Sequence, residues 1–456
     1  MFRVLFTSLV VMCVSVAYAQ DDTTVKTIFD EALRNGKSYE MLEHLTKKVG
    51  PRLSGSPGAA AAVEWSRHVM EDFGFDSVWL QPVMVPHWVR GQQEMARIIN
   101  SKKMGTVSVN VCALGGSVGT GPGGLVSQIV EVKSFDELKQ LGVKGVKGKW
   151  VFFNRPMDPT KINTFAAYSG AVDQRGSGAS EAAKYGAIGA IVRSMGLNSE
   201  EYPHTGGVRY APNIPQLPAV AISTRHADLL SKLLKDDKDL QLYVETHCET
   251  LPDAPSYNVI GELRGSEYND EIIVVSGHLD SWDLAEGAHD DGAGCVQSIE
   301  VLRLFKLMGY KPKRTIRAVM YMNEENGLRG GLKYAEMALK NKEKHIAAIE
   351  SDRGGFTPRG FSMAADDAVK QKVQSWQSLF KPFDVWDFTQ EGGGADIGPL
   401  ANQGVPLFGF VPDSQRYFDY HHTPEDTFDK VNKRELELGS GAMAALVYLM
   451  DKYGLK

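Results

Sequence analysis

The feature that most constrains the fold is a regular alternation of apolar strands and helices in the second half of the chain. Three short, continuous apolar runs are typical of fully buried strands: EIIVVSG (271–277), TIRAVMYMN (315–323) and IAAIES (346–351). The segments between them, AGCVQSIEVLRLFKLMG and LRGGLKYAEMALKN, have the apolar spacing of helices. Strands and helices that alternate at this spacing predict parallel βαβ units with right-handed crossovers.

Acidic residues and a histidine stand at the ends of these predicted strands. His278 closes the first strand, Glu324 and Glu325 follow the second, and Asp352 follows the third. Each residue taken alone is more often an ordinary loop residue. The carboxyl ends of parallel strands meet at one crevice, however, and like charges gathered there repel each other unless cations hold them. The pattern therefore predicts a metal site beyond the strand ends.

Two further segments add ligand types to this site. Asp290 in HDDGAG precedes a predicted helix, whose N-terminal dipole favours anions, and YHHTPEDT supplies imidazole from a downstream loop. His278 and Asp280 are two residues apart and point to the same side if the strand continues, which suits a ligand histidine held by a carboxylate. Imidazole and carboxylate in this number favour a pair of zinc ions, with manganese or cobalt as substitutes, and two such cations lower the pKa of a bridging water.

Five motifs, in this order along the chain, resemble the co-catalytic zinc aminopeptidase family, and most closely its carboxypeptidase Q branch: GHLDSWD, HDDGAG, NEENGLRGG, ESDRGG and YHHTPEDT. The likeness covers nearly the whole chain after its first 19 residues, because AAKYGAIGAIVRS and the following PHTGG resemble the protease-associated domain of that branch. The resemblance implies an α/β fold with a mostly parallel twisted sheet, helices on both faces and an inserted protease-associated-like domain.

The resemblance also implies a role for each site residue. Glu324 matches the general base that takes a proton from the bridging water, and Asp280 matches the partner that orients His278. Asp290 matches the carboxylate that bridges two Zn²⁺ ions. The complete set of predicted zinc ligands is His278, Asp290, Glu325, Asp352 and His422, with His421 as the alternative to His422.

Two residues depart from the family's pattern. Arg353 follows Asp352 where family members often have a small residue. It either neutralises nearby acid or contacts a substrate carboxylate, which arginine binds through two parallel hydrogen bonds. His289 precedes Asp290, and we expect it at the rim of the site rather than among the ligands.

The first residues predict export from the cytoplasm. MFRVLFTSLVVMCVSVAYAQ has Arg3, a short apolar core and an Ala17-Tyr18-Ala19 cleavage site, which is typical of a signal peptide rather than a membrane span. The mature chain is expected to be secreted or periplasmic, without a membrane span. The predicted segments are a signal peptide (1–19), the N-terminal part of the peptidase domain with a candidate propeptide at its start (20–117), the inserted domain (118–240) and the catalytic domain (241–456).

Composition limits the partners. Fifty basic and 56 acidic side chains give a net charge of −6, which argues against nucleic acid as the main partner. Three cysteines remain after cleavage, so at least one is free, and a pairing of Cys112 with Cys248 is left open.

The leading interpretation is a metallo-exopeptidase that hydrolyses dipeptides or N-terminal residues of short peptides, and the resemblance implies a homodimer. One alternative keeps the metals and changes the substrate, as in a zinc-dependent deacylase or a glutaminyl-cyclase-like enzyme on the same fold. The other alternative is a receptor-like homologue without catalysis, against which the complete set of candidate ligands argues.

Overall fold

The computed structural model describes residues 20–455, so the signal peptide predicted at residues 1–19 lies outside the described part of the chain. The strands in chain order are β1 (Ser77–Val89), β2 (Met95–Ser101), β3 (Gly105–Ser108), β4 (Val111–Ala113), β5 (Leu125–Val132), β6 (Trp150–Phe153), β7 (Gly189–Arg193), β8 (Ala219–Ile222), β9 (Gln241–Glu245), β10 (Glu249–Leu263), β11 (Tyr268–His278), β12 (Arg314–Tyr321), β13 (Lys344–Glu350), β14 (Pro358–Ala364) and β15 (Leu407–Pro412).

The helices in chain order are α1 (20–35), α2 (Ser38–His44), α3 (Pro57–Asp72), α4 (Phe135–Val146), α5 (Thr164–Ser169), α6 (Asp173–Ala183), α7 (Thr224–Asp236), α8 (Ala293–Leu307), α9 (Arg329–Asn341), α10 (Asp367–Ser375), α11 (Gln377–Phe380), α12 (Tyr417–Tyr420) and α13 (Lys433–Tyr453).

A seven-stranded main sheet carries the predicted βαβ units. Its strand order is β1-β10-β12-β11-β13-β15-β14. The four strands β12, β11, β13 and β15 are parallel, and α8 and α9 form the crossovers that the alternating sequence predicts. β1, β10 and β14 pair antiparallel, so the sheet is mixed rather than mostly parallel. The predicted α/β class is confirmed.

Both faces of the main sheet are buried, which explains why its central strands are continuously apolar. Alternate side chains of β11 enter different cores. Ile273 and Val275 pack in a core with α8 and α13, whereas Ile272 and Val274 pack in a core with α9 on the opposite face. Helices therefore cover both sides of the sheet, and the strand ends point to one open edge between them.

A second sheet of eight strands has the order β3-β2-β9-β5-β6-β7-β8-β4. On β6, Val151 and Phe153 face the core with α4 and α6, and Trp150 and Phe152 face the core with α7. The strands of this sheet run from Met95 to Glu245 and so extend beyond the predicted segment 118–240 at both ends. Its identity as a protease-associated-like domain stays a prediction.

The candidate propeptide, at the start of the described residues, packs its first helix into the main core. Ile28 and Phe29 of α1 are buried in the main core, and Asp21 accepts a hydrogen bond from Tyr448 of α13 at 2.9 Å. Whether this segment is trimmed stays a prediction, but trimming would remove core side chains. Within residues 20–455, no helix combines the length and the apolarity that crossing a membrane requires.

The three cysteines in the described part of the chain are buried and unpaired: Cys112, Cys248 and Cys295. The pairing that the sequence left open is therefore not formed in this structure.

Candidate metal centre

The first group of predicted ligands meets at the carboxyl end of β11. His278 ends this strand, Asp352 follows β13, and Asp290 lies in the helical turn Ala288–Gly292 that precedes α8. Nε2 of His278 lies 3.2 Å from Oδ1 of Asp290 and 3.4 Å from Oδ1 of Asp352. The close approach depends on glycine, because a Cβ on Gly294 would collide with the carbonyl oxygen of Ser351.

The second group shares Asp290 with the first. Its other carboxylate oxygen, Oδ2, lies 3.3 Å from Nε2 of His422, and this nitrogen lies 3.1 Å from Oε2 of Glu325. Nε2 of His421 is farther from Asp290 Oδ2, at 3.8 Å, and its ring stacks on His422 with centroids 3.5 Å apart. Asp290 therefore stands between two imidazoles, with one carboxylate oxygen directed at each.

These atoms fit a site for metal ions. Ligand atoms of His278, Asp290 and Asp352 lie within 4.8 Å of one another, and the same holds for Asp290 with His421 and His422. Within residues 20–455, the buried Nε2 of His278 and Oδ2 of Asp290 have no hydrogen-bond partner. Buried polar atoms without a partner are rare and costly, and imidazole with carboxylate is a donor set that suits zinc.

The titration of these groups reflects their crowding. Burial by itself lowers the pKa of His278, but Asp352 and Asp290 outweigh it, so that this pKa lies well above its usual value. Burial raises the pKa of Glu324 well above its usual value, and the charges of Asp352 and Glu325 raise it further. Protons therefore relieve the repulsion here, and cations bound by the same groups would replace those protons.

His278 is oriented by the backbone of Asp280 rather than by its carboxylate. Nδ1 of His278 lies 3.0 Å from the carbonyl oxygen of Asp280 and 3.9 Å from its Oδ1. A hydrogen bond from Nδ1–H to this carbonyl leaves Nε2 free to bind a metal. The Asp280 carboxylate instead accepts the backbone N–H groups of Asn323 at 2.7 Å and Glu324 at 3.1 Å. Asp280 thus couples the His278 loop to the loop that carries Glu324.

The segment that forms the second sheet orients His422. Nδ1 of His422 lies 3.3 Å from the carbonyl oxygen of Thr205, and the Thr205 N–H donates to the carbonyl of His422 at 2.9 Å. A guanidinium nitrogen of Arg175, from α6, also lies 3.3 Å from this Nδ1. Thr205 belongs to the PHTGG motif, which the sequence analysis noted only as part of a resemblance.

Sequence reasoning missed two buried residues that hold the ligand loops. Arg52 donates to the carbonyl oxygens of Leu279 at 2.6 Å, Glu286 at 2.6 Å and Gly287 at 2.8 Å. The Asp426 carboxylate accepts the backbone N–H groups of His289 and Asp290, at 2.7 Å and 3.1 Å. Asp426 lies within YHHTPEDT and could have been found there. Arg52 is a single basic residue in a loop, which no pattern distinguishes.

The expectation for His289 is wrong. It is fully buried instead of lying at the rim, with its ring stacked on Phe356 and Tyr420 at centroid distances of 4.2 Å and 5.2 Å. Burial lowers the pKa of His289 to about 3, so this histidine is neutral at physiological pH. The sequence could not show this, because its aromatic neighbours come from two other segments of the chain.

Arg353 lines a cavity of about 280 Å³ beside Asp352, together with Glu350, Phe165 and Gly394. Its guanidinium carbon lies 5.1 Å from the centroid of the Phe165 ring. The side chain is half-buried and borders both the metal-ligand cluster and open space. The structure therefore places it where either role proposed from the sequence is sterically possible.

Comparison with known proteins decides the family. The model of peptidase family M28 matches residues 258–447, which contain all seven predicted catalytic and metal-binding residues. Carboxypeptidase Q of Bos taurus is 34% identical over 424 residues, covering 93% of this chain and 87% of the bovine protein. The chain belongs to peptidase family M28. Carboxypeptidase Q of Homo sapiens is 33% identical over 414 residues, covering 91% of this chain and 85% of the human protein.

Solved structures of M28 peptidases agree with this placement. The crystal structure of a peptidase M28 precursor from Shewanella amazonensis is similar with a TM-score of 0.90 and 34% identity, covering 96% of this chain and 98% of that chain. A zinc aminopeptidase from Bacillus subtilis shares the fold, with a TM-score of 0.66 at 19% identity over 91% of this chain and 95% of that chain. The family and the enzyme class predicted from the motifs, a metallo-exopeptidase, are confirmed.

Proposed function

We propose that this M28 metallo-exopeptidase is secreted or periplasmic, binds two zinc ions and hydrolyses dipeptides or N-terminal residues of short peptides. The observation that carries the proposal is the position of Asp290. Its two carboxylate oxygens are directed at His278 and His422, which stand in two ligand groups that overlap only at Asp290. Two ions sharing one carboxylate would use this arrangement fully, whereas one ion would leave part of the ligand set unused.

The roles of the chain's own groups follow from their positions. His278, Asp290 and Asp352 would hold one ion, and Asp290, Glu325 and His422 the other. Zinc bound there would lower the pKa of a water molecule and polarise the carbonyl of the scissile peptide bond. A hydrogen bond from Nδ1–H to the carbonyl of Asp280 keeps the His278 imidazole in the tautomer that such binding needs, whereas Nδ1 of His422 faces both the carbonyl of Thr205 and a guanidinium nitrogen of Arg175.

Glu324 is the proposed general base. It follows β12 at the strand ends, next to Glu325, and its backbone N–H is held by the Asp280 carboxylate at 3.1 Å. The charges of Asp352 and Glu325, which help to raise the pKa of Glu324, would be offset by zinc bound to the neighbouring ligands. The Glu324 carboxylate would then accept a proton from the attacking water and pass it to the leaving amine.

The test measures bound zinc and hydrolysis in parallel. The chain from Gln20 onward is loaded with zinc, its metal content is counted by native mass spectrometry, and hydrolysis of free dipeptides is followed. We expect two zinc ions per chain, and Glu324→Gln should keep both while losing about 10²- to 10⁴-fold in kcat/KM. Glu336→Gln, which removes an exposed carboxylate on α9, is the matched control and should behave as the wild type.

Three results would contradict parts of this proposal. One zinc ion per chain would remove the bridging role of Asp290. Equal rates for wild type and Glu324→Gln would remove Glu324 as the base. Cleavage of N-acylated amino acids in place of unblocked dipeptides would favour the deacylase alternative on the same site. The homodimer and the removal of residues 1–19 are further predictions, which a sedimentation measurement and N-terminal sequencing would test.

A further inference from the structure

Arg353 is a half-buried cation that forms no ion pair in the described part of the chain. Among residues 20–455, no carboxylate lies within ion-pair distance of its guanidinium group. The one polar contact of this group is a long hydrogen bond from a guanidinium nitrogen to the amide oxygen of Gln390, at 3.5 Å. The group packs instead over the ring of Phe165. A charge removed from water without a counterion is unfavourable, and the ring face compensates only in part. The position is therefore suited to an anion that arrives from outside.

The nearby carboxylates are already engaged. Glu350 accepts the backbone N–H groups of Ala395 at 2.7 Å and Ile397 at 2.9 Å, which satisfies its charge away from Arg353. Asp352 directs Oδ1 at Nε2 of His278, within the first ligand group. Both carboxylates attract the charge of Arg353, but neither forms an ion pair with it, so the guanidinium group is left without a hydrogen-bonded anion.

The cavity beside Arg353 opens next to the proposed reaction centre. Asp352 and Arg353 are consecutive, so their Cα atoms are about 3.8 Å apart, and both line the cavity of about 280 Å³. Gly393 and Gly394 also line this cavity. A peptide whose scissile carbonyl lies at the metal ligands would place the neighbouring residue of the substrate within reach of the guanidinium group.

We propose that Arg353 binds a carboxylate of the peptide substrate within one residue of the scissile bond. This inference rests on the proposed function and adds a specificity-determining residue to it. The planar guanidinium group matches a carboxylate through two parallel N–H···O bonds, and the ring of Phe165 holds that plane. A free dipeptide has its terminal carboxylate within one residue of the scissile bond. A longer or amidated peptide can offer a carboxylate at that position only on an acidic side chain.

The test compares four substrates, and its arms separate the two sources of the carboxylate. Alanyl-alanine and its C-terminal amide differ only in the terminal carboxylate. Glutamyl-alanine amide and glutaminyl-alanine amide differ only in a side-chain carboxylate. Wild type, Arg353→Met and Arg353→Lys are compared with Arg416→Met, which removes another arginine stacked on a phenylalanine, Phe356, outside this cavity.

We expect wild type to prefer alanyl-alanine over its amide in kcat/KM, and Arg353→Met to lower this preference about 10- to 100-fold. Arg353→Lys should retain part of the preference, because lysine keeps the positive charge but cannot form two parallel hydrogen bonds to one carboxylate. Arg416→Met should keep all of it. If Arg353→Met instead abolishes a preference for the glutamyl over the glutaminyl substrate, Arg353 binds the side-chain carboxylate of the substrate rather than its terminal carboxylate. Unchanged preferences in both pairs would overturn the proposal.

A binding measurement separates this proposal from the proposed catalytic function. Calorimetry with alanyl-alanine uses Glu324→Gln protein, with and without Arg353→Met, and requires no turnover. We expect the second substitution to weaken binding about tenfold or more. Equal affinities would overturn the role of Arg353 while hydrolysis by wild type still stands. Conversely, absent hydrolysis with Arg353-dependent binding would refute the catalytic function alone.

Discussion

Replacing Arg52 by methionine tests whether one buried side chain holds the ligand loop. Arg52 is fully buried, and its guanidinium group donates to the backbone carbonyls of Leu279, Glu286 and Gly287. These residues bracket the loop between β11 and Asp290. Methionine is close to arginine in shape near the backbone, but it offers no donor, so the three carbonyl oxygens would each lose a hydrogen bond, and Gly287 would keep only the bond from the Gly292 N–H.

The expected cost follows from the three contacts, which are all between 2.6 Å and 2.8 Å long. Hydrogen bonds to charged groups contribute about 1.5–3 kcal/mol each, which gives an upper range of about 5–9 kcal/mol. Methionine also removes the desolvation cost of a buried guanidinium group, which is several kcal/mol. We therefore expect Arg52→Met to lower the free energy of unfolding by about 3–5 kcal/mol.

Two assays check this prediction. Thermal unfolding of metal-free protein should show a melting temperature lower by about 3–5 °C for Arg52→Met. Zinc titration against a competing chelator should show affinity reduced about 10- to 100-fold, because the loop that leads to Asp290 is no longer held. Arg67→Met, which removes surface ion pairs with Glu64 and Glu71 on α3, should cost less than about 1 kcal/mol. A melting temperature and zinc affinity equal to wild type for Arg52→Met would refute the reasoning.

Two further predictions concern histidines. His422→Gln should weaken zinc binding by more than about 100-fold and His421→Gln by less than about tenfold, measured by chelator competition; the reverse order would make His421 the ligand. For His345, burial, with the Arg317 charge, lowers the pKa from 6.5 to about 4 in the folded protein. The unfolded chain then binds the proton first, so stability falls by about 3 kcal/mol as pH decreases from 6.5 to 4. Urea unfolding should show that wild type loses about 3 kcal/mol more stability than His345→Gln over this pH range, and equal pH dependence of both proteins would contradict it.

Much of the fold was predictable because its signals are local. α3, for example, begins with a local signal: the Ser56 side chain accepts the N–H of Ala59 at 3.1 Å, and Pro57 occupies the first helical position. The three apolar runs became β11, β12 and β13 with shifts of a few residues at their ends. The antiparallel edges were not predicted, because strand direction depends on which distant strand is the neighbour.

The candidate site was predictable for a different reason. Three proposed ligands, His278, Asp290 and Asp352, stand at the end of a strand or just before a helix, so the order of elements already brings them to one edge. His422 comes from a loop after α12. The groups that orient them come from elsewhere. Thr205 lies in the second-sheet segment, more than 200 residues before the His422 it contacts, and no periodic pattern links the two.

The sequence by itself determined the strand–helix alternation, the kinds of ligand and their positions at the strand ends. These depend on apolar periodicity and on residue types within a few positions of each other. Tertiary structure alone decided that His289 is buried between aromatic rings, that Arg52 holds the ligand loop, and that Arg353 faces a cavity without an acidic partner. Burial and pairing of a side chain depend on segments far apart in the chain, which meet only when the elements pack.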